Sequence, residues 1–221
     1  MCWLLFAASA TAMFVALEQL APRTRSPIRW RAIAVATALL GIDAAITRLA
    51  RMPATGTAAR MVLAFVLVEL ADYAIHRAMH AVPLLWRFHR LHHDESLAWH
   101  VAWRIHPVDA ALFALGTTAA CWLAGAPLPT AAGFVIGRRV WSALLHANLA
   151  WPASALDHAI ATPAFHRVHH EARANFASTL PVIDRLLGTY RGSRTANVAP
   201  CPGSLDTSIA PPCASTSLRT T

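Results

Sequence analysis

Apolar and polar positions divide this chain into long apolar runs separated by short breaks rich in arginine and proline. Residues 1–21 are apolar apart from Glu18 and Gln19, and two further runs cover residues 32–47 and 58–75. Each is about 16–21 residues, close to what a helix needs to cross a hydrocarbon core. A fourth apolar stretch, 108–136, is too long for one helix and is broken by Gly125-Ala126-Pro127-Leu128-Pro129, a strong turn signal. A helical hairpin is expected there, with both flanks ending on one side. Arg138 and Arg139 near its return fit that side. At the start of the chain a signal peptide competes with a retained helix. No basic residue precedes the apolar run, and Glu18 falls where a cleavage site wants small residues, so a retained helix is expected. From residue 193 to 221 Ser, Thr, Pro and Ala dominate without helical period, which predicts a disordered tail after a single domain over 1–192.

Composition agrees with lipid as part of the solvent. The 221 residues are 56% hydrophobic and 14% charged, with a mean hydropathy of +0.43. The net charge of +8 comes from 19 basic residues that are all arginine. They sit between the apolar runs, with no compact basic motif interleaved with aromatics, so nucleic-acid binding is not expected. Arg23, Arg25, Arg29 and Arg31 place the first connection in the cytoplasm by the positive-inside tendency, which brings His76 to the cytoplasmic end of the third run. Cys2, Cys121, Cys201 and Cys213 form no C-x-x-C pair, which argues against a disulfide framework or a zinc knuckle.

Histidine is the anomaly, with twelve in the chain. Eight form three clusters: His76-Arg77-Ala78-Met79-His80, His89-Arg90-Leu91-His92-His93, and His166-Arg167-Val168-His169-His170. The last two share one spacing. On a helix, residues at i, i+3 and i+4 are neighbours, and imidazoles so placed can converge on a single ion. A lone histidine in an apolar chain is more often a hydrogen-bonded core residue. Eight in ligand-spaced clusters are different, because burying that many uncoordinated rings leaves too many polar groups unsatisfied. Eight nitrogens exceed what one four-coordinate site needs, so two metals are expected. Imidazole suits zinc, copper, iron and nickel alike, so ligand type does not name the metal.

With their flanks, these clusters resemble the membrane-bound fatty acid hydroxylase and sterol desaturase superfamily. The resemblance covers about residues 10–191. It rests on Glu18, Pro22 and Asp72, on Trp86-Arg87-Phe88-His89, and on Arg104-Ile105-His106-Pro107 and His146-Ala147-Asn148. Asp184-Arg185-Leu186-Leu187-Gly188-Thr189-Tyr190 completes it after the third cluster. It implies an all-α integral membrane helical bundle with a cytosolic, histidine-rich catalytic cap. Two non-haem iron ions there would use O2 to hydroxylate a lipid C–H bond. The implied ligands are His76, His80, His89, His92, His93, His166, His169 and His170. His146 matches a position that often adds one more. In some members another histidine follows four residues later, where this chain has Ala150. His106 is left open between ligand, ligand-orienting and structural roles. Asn175-Phe176-Ala177 stands where Asn-Tyr-Gly is usual, and Ile183-Asp184 where Trp-Asp is usual. Those departures bear on substrate and leave the metal site intact.

Ligating imidazoles usually donate their other N–H to a carboxylate or carbonyl. Asp72, Asp94, Glu95, Asp109, Glu171 and Asp184 are the nearby carboxylates, and Asp72, one helical turn before His76, is the favoured partner. His100 and His158 lie outside every motif and are read as structural. No haem, flavin or nicotinamide motif is present, so electrons are expected from a separate redox protein. Zinc is expected to replace iron on overexpression. Lipid desaturation is the nearest rival. A membrane metal transporter is another, though it would more naturally hold ligands midway along its apolar helices. An inactive, lipid-binding relative is a third.

Overall fold

A computed structural model describes residues 2–23, 29–49, 55–93 and 97–193. The expected tail, apart from residue 193, lies outside the described residues, as do Asp94 and Glu95. All regular structure among the described residues is helical: α1 (Cys2–Leu20), α2 (Trp30–Leu49), α3 (Ala58–Ala81), α4 (Pro83–His93), α5 (Pro107–Leu123), α6 (Leu128–His146), α7 (Pro163–Glu171) and α8 (Val182–Leu186). Two 3-10 turns, Trp99–Ala102 and Ala155–His158, join them.

Each long apolar run becomes a helix, and local chemistry sets the ends. Thr57 caps α3 by accepting the Arg60 N–H. That helix runs past the third apolar stretch and stops at Val82, which Pro83 forces into an extended conformation. Pro107 opens α5 and Pro163 opens α7, where a missing N–H costs nothing. The expected hairpin is present: α5 ends at Leu123, Gly125 turns the chain with φ 65°, and α6 starts at Leu128.

The hub of the bundle is α5, packed against α3 and α2, while α6 packs against the first 3-10 turn and α7. Contact between α3 and α5 is close: a Cβ on Gly116 would come within 2.5 Å of Ile75 Cδ1. One apolar cluster joins Phe14, Trp99, Trp103 and Ala143, and the Trp103 indole donates to the Arg139 carbonyl. Glu18 fastens α1 to this cluster by accepting the backbone N–H groups of Trp99 and Asn148.

No described helix is long and apolar enough to cross a membrane. Ionisable residues interrupt the runs, and the structure buries them. Arg139 is 3% exposed and its guanidinium pairs with Asp43. Arg138 lies against Asp43 and Asp72. The reading of these two arginines as markers of a membrane face is therefore corrected: their charges are neutralised inside the bundle by carboxylates from α2 and α3.

Candidate metal centre

Four helices bring nine histidines to one end of the bundle. His76 and His80 come from the end of α3, and His89, His92 and His93 from α4. His146 is the last residue of α6, and His166, His169 and His170 come from α7. They form two adjoining groups. His76, His80, His89, His93 and His169 make one; His92, His146, His166 and His170 make the other. Within each group the ligand atoms lie within 4.8 Å of one another, a separation small enough for one ion to touch them all.

Each H-x-x-H-H cluster divides between the groups. In α4, His89 and His93 face the five-histidine group and His92 the other; in α7, His166 and His170 face the four-histidine group and His169 the other. Helical geometry accounts for this. At 3.6 residues per turn, i and i+4 point about 40° apart, whereas i+3 and i+4 diverge by about 100°. The expectation that one cluster converges on one ion is replaced by an arrangement in which each short helix serves both.

The outer ring nitrogens of His76, His89, His92, His146 and His169 are held, whereas Nδ1 of His80 and of His166 is buried without a hydrogen-bond partner among the described residues. The Nδ1 of His76 lies 2.9 Å from the Phe176 carbonyl, that of His169 2.9 Å from Ala174 O, and that of His92 3.2 Å from Val101 O. His146 Nδ1 is 2.7 Å from Ser142 O. A carbonyl only accepts, so each of these Nδ1 atoms carries the proton and each neutral ring turns an Nε2 lone pair inward. His92 Nε2 faces His146 Nε2 at 2.7 Å, and the Nε2 atoms of His166 and His170 lie 3.0 and 3.1 Å from His146 Nε2. Two facing lone pairs repel unless a cation satisfies both. In the five-histidine group the Nε2 atoms of His80, His89, His93 and His169 are buried without a hydrogen-bond partner among the described residues. Orphaned, inward-facing lone pairs of this kind fit a metal ion.

A proton does not substitute well. Burial, followed by the charge of neighbouring rings, pushes His80 to about 2 and His93 to about 3. Burial also takes His76 and His146 to about 4, against the pull of their carbonyl partners. Near neutral pH the rings are uncharged and ready to ligate.

The expected supporting residues take different places. Asp72 is fully buried but faces Arg138 Nε at 3.7 Å rather than an imidazole. Asp109 fills the orienting role, its Oδ2 lying 3.2 Å from His89 Nδ1. Asp184 acts through the backbone: it accepts the N–H groups of Phe176 and Ala177 and the Thr189 hydroxyl, fixing the segment whose carbonyls hold His76 and His169. His106 caps α5 by accepting the Val108 N–H, stacks on Phe88, and joins neither group. His100 and His158 also lie outside both groups. Glu171 is exposed at the end of α7.

Sequence reasoning passed over a buried ionic cluster. Asp43, Glu69, Asp72, Arg138 and Arg139 meet where α2, α3 and α6 pack, and all but Asp43 line a cavity that reaches the histidines. The available signal was an ionisable residue inside an apolar run, as at Asp43 and Glu69.

Comparison with known proteins agrees with this geometry. The family model for fatty acid hydroxylase matches residues 61–189, from α3 to the segment after α8. An ornithine lipid hydroxylase of Rhizobium tropici is 34% identical over 157 residues, covering 68% of this chain and 45% of the relative. An alkylglycerol monooxygenase of Danio rerio is 26% identical over 139 residues, covering 58% and 30%. A very-long-chain aldehyde decarbonylase of Oryza sativa subsp. indica is 29% identical over 135 residues, covering 55% and 21%. The chain thus spans less than half the length of each of these relatives, and no solved structure matches it. The matched segment contains all nine histidines of the two groups, and the chain belongs to the fatty acid hydroxylase family.

Proposed function

We propose that the two histidine groups hold two non-haem iron ions and that the protein is a membrane-bound oxygenase, inserting one oxygen atom into a C–H bond of a lipid. The observation that carries this reading is the set of inward-facing Nε2 lone pairs, with His76, His92, His146 and His169 held in place by proton-bearing Nδ1 atoms. His76, His80, His89, His93 and His169 are the ligands of one ion, and His92, His146, His166 and His170 those of the other. The ions supply the oxidising power drawn from O2 and from electrons delivered by a separate redox protein.

The chain's own groups do the rest. Asp109 and the carbonyls of Val101, Ser142, Ala174 and Phe176 fix the imidazoles in the tautomer that ligates. Phe113, Phe176 and Trp86 stand against the rings of the five-histidine group and keep water away. An adjoining cavity of about 290 Å³, lined by Phe65, Val68, Phe134 and Leu145 among others, takes the lipid chain.

Membrane association is supported by apolar residues left at the surface, including Leu20, Leu49, Val62, Trp122 and Leu123, each more than 60% exposed. In this reading the bundle sits in the membrane with the histidines on the cytoplasmic side. The named activities of the relatives, a lipid hydroxylase and a monooxygenase, point the same way.

Two measurements test the proposal. Elemental analysis of the detergent-purified protein should find close to two metals per chain; a folded, metal-free sample would overturn it. Lipid mass spectrometry of cells with and without the gene should reveal a species heavier by one oxygen. A product lighter by two hydrogens would mean desaturation instead, and an unchanged profile with metal and donor present would favour a metal-handling protein.

A further inference from the structure

The cavity beside the histidines has a chemical pattern along its length. It begins at His76 and His146 and follows α3 and α6 toward Phe65 and Phe134. From His76 back to Phe65 is roughly 16 Å at the rise of a helix. Its far end is apolar. Partway along stands Arg138, whose guanidinium carbon lies 5.2 Å from the centre of the Phe113 ring. That ring also packs edge-on against His76 at 6.2 Å, so a single phenyl separates Arg138 from a proposed ligand.

Arg138 is charged but incompletely bonded. Asp72 and Asp43 lie 3.7 and 3.8 Å away, close enough for ion pairing and too far for good hydrogen bonds. Its Nε and Nη2 are buried without a hydrogen-bond partner among the described residues. Both nitrogens are buried, so the guanidinium must turn toward the cavity that Arg138 lines before an acceptor there can satisfy them. The surroundings define that acceptor. Asp43 and Asp72 already balance Arg138 and Arg139, and the Glu69 carboxylate, bonded to the Thr179 and Leu180 amides, lines the same cavity. An incoming anion would meet three carboxyl groups. A neutral carbonyl oxygen would meet far less of that repulsion and would satisfy the donors.

Among the cavity's lining residues only Gly133 and Gly137 of α6 are exposed, and a Cβ added at either meets nothing within 4 Å. About one turn apart on α6 and next to Arg138 in sequence, they leave that stretch of the cavity wall without side chains.

We propose that this cavity takes a lipid past Gly133 and Gly137 and that Arg138 binds its neutral carbonyl oxygen, as in an ester or amide. The C–H bond presented to the histidines then lies within a few bonds of that carbonyl. This inference rests on the oxygenase reading for its location and is tested by binding alone.

Three fluorescent probes separate the alternatives on the full-length, detergent-solubilised protein: methyl parinarate, parinarate anion, and octadecatetraene, the matched hydrocarbon. Methyl parinarate should bind about tenfold tighter than either of the others, the difference expected of one hydrogen bond to a charged donor. Arg138→Met should reduce the ester to the hydrocarbon's affinity while leaving the hydrocarbon and the metal content unchanged. Gly137→Leu should weaken both ester and hydrocarbon, because its side chain occupies that bare stretch of wall. Equal binding of ester and hydrocarbon by the wild-type protein would overturn the proposal. So would tightest binding of the anion, or undiminished ester binding in a folded Arg138→Met protein. If that variant fails to fold, the wild-type ranking of the three probes still decides. Metal content measured on the same samples keeps the two readings apart. Two metals with no ester preference would refute the Arg138 assignment alone.

Discussion

The two histidine groups use the same ligand type and spacing, yet they are supported in different ways. In the four-histidine group, His146 is oriented from within α6 by the Ser142 carbonyl, and His92 by Val101 in a short 3-10 turn. In the five-histidine group, His76 and His169 depend on the carbonyls of Phe176 and Ala174, which lie in an irregular segment pinned by Asp184. Only the support of His146 comes with helix formation and only that of His76 spans a hundred residues; His92 and His169 are held by carbonyls nine and five residues further along the chain. The groups also differ in redundancy, since removing one ligand leaves four imidazoles in one case and three in the other.

That difference predicts the largest effect. His146→Ala should reduce bound metal from two ions per chain to one and abolish lipid oxidation, because His146 Nε2 is the atom the other three ligands of its group approach. His80→Ala should keep both ions and lose only part of the activity, its four remaining partners still closing the site. Elemental analysis of the paired variants checks this, and equal loss from both would show that redundancy plays no part.

Acid should act on both groups in one direction. These histidines have folded-state pKa values depressed below the ordinary value of 6.5, to about 4 for His76 and His146 and about 3 for His93. At these rings the unfolded chain therefore binds protons first, and their contribution to stability is lost as pH falls below about 6.5. Asp72 and Asp109, which burial raises to about 6 and about 7, act in the opposite direction but are outnumbered. Metal release should follow the same course, since ligation requires the neutral ring. A metal-free sample unfolding at the same denaturant midpoint at pH 7.5 and pH 5 would contradict the burial of these rings.

Asp109→Asn tests support at one group alone. The amide can still accept from His89 Nδ1 but without charge, so the ring becomes a weaker ligand. Affinity at the five-histidine group should fall about tenfold to a hundredfold while the other ion stays. Chelator titration resolving two classes of site measures this.

Much of this was legible in the sequence, and the remainder was not for identifiable reasons. Helical period and turn residues located the helices and the hairpin at Gly125, because those signals act within a few residues. Eight of the nine histidines were visible for the same reason, since H-x-x-x-H and H-x-x-H-H place their rings by local geometry; His146 came only from the family resemblance. What sequence did not show was the sorting of ligands between two sites, since that depends on how α4 and α7 face each other. The choice of Asp109 over Asp72 as the partner of a ring was hidden as well. Asp109 lies twenty residues from His89 and reaches it only because α5 packs beside α4. Asp72 had proximity along its own helix, yet its carboxylate is drawn to Arg138 instead.

The smallest effect expected is at Asn175, which has φ 54° and is wholly buried. Asparagine tolerates this left-handed conformation better than most residues. Its side chain also donates to the Phe165 and Gly192 carbonyls and accepts the Arg191 N–H. The residues on either side supply the carbonyls that hold His169 and His76, so Asn175 shapes the support of the five-histidine group without touching an imidazole. Asn175→Gly keeps the backbone conformation and loses the side-chain bonds; Asn175→Ala loses both. The alanine variant should therefore be the less stable by about 1 kcal/mol, a shift of about 2–4 °C in Tm for a chain of this size. Both variants should loosen the ion of the five-histidine group and leave that of the four-histidine group unchanged. If the glycine variant matched wild type in both Tm and metal affinity, backbone conformation alone would set that support. Weakened binding at both groups would mean that the segment around Asn175 braces the whole centre rather than one half of it.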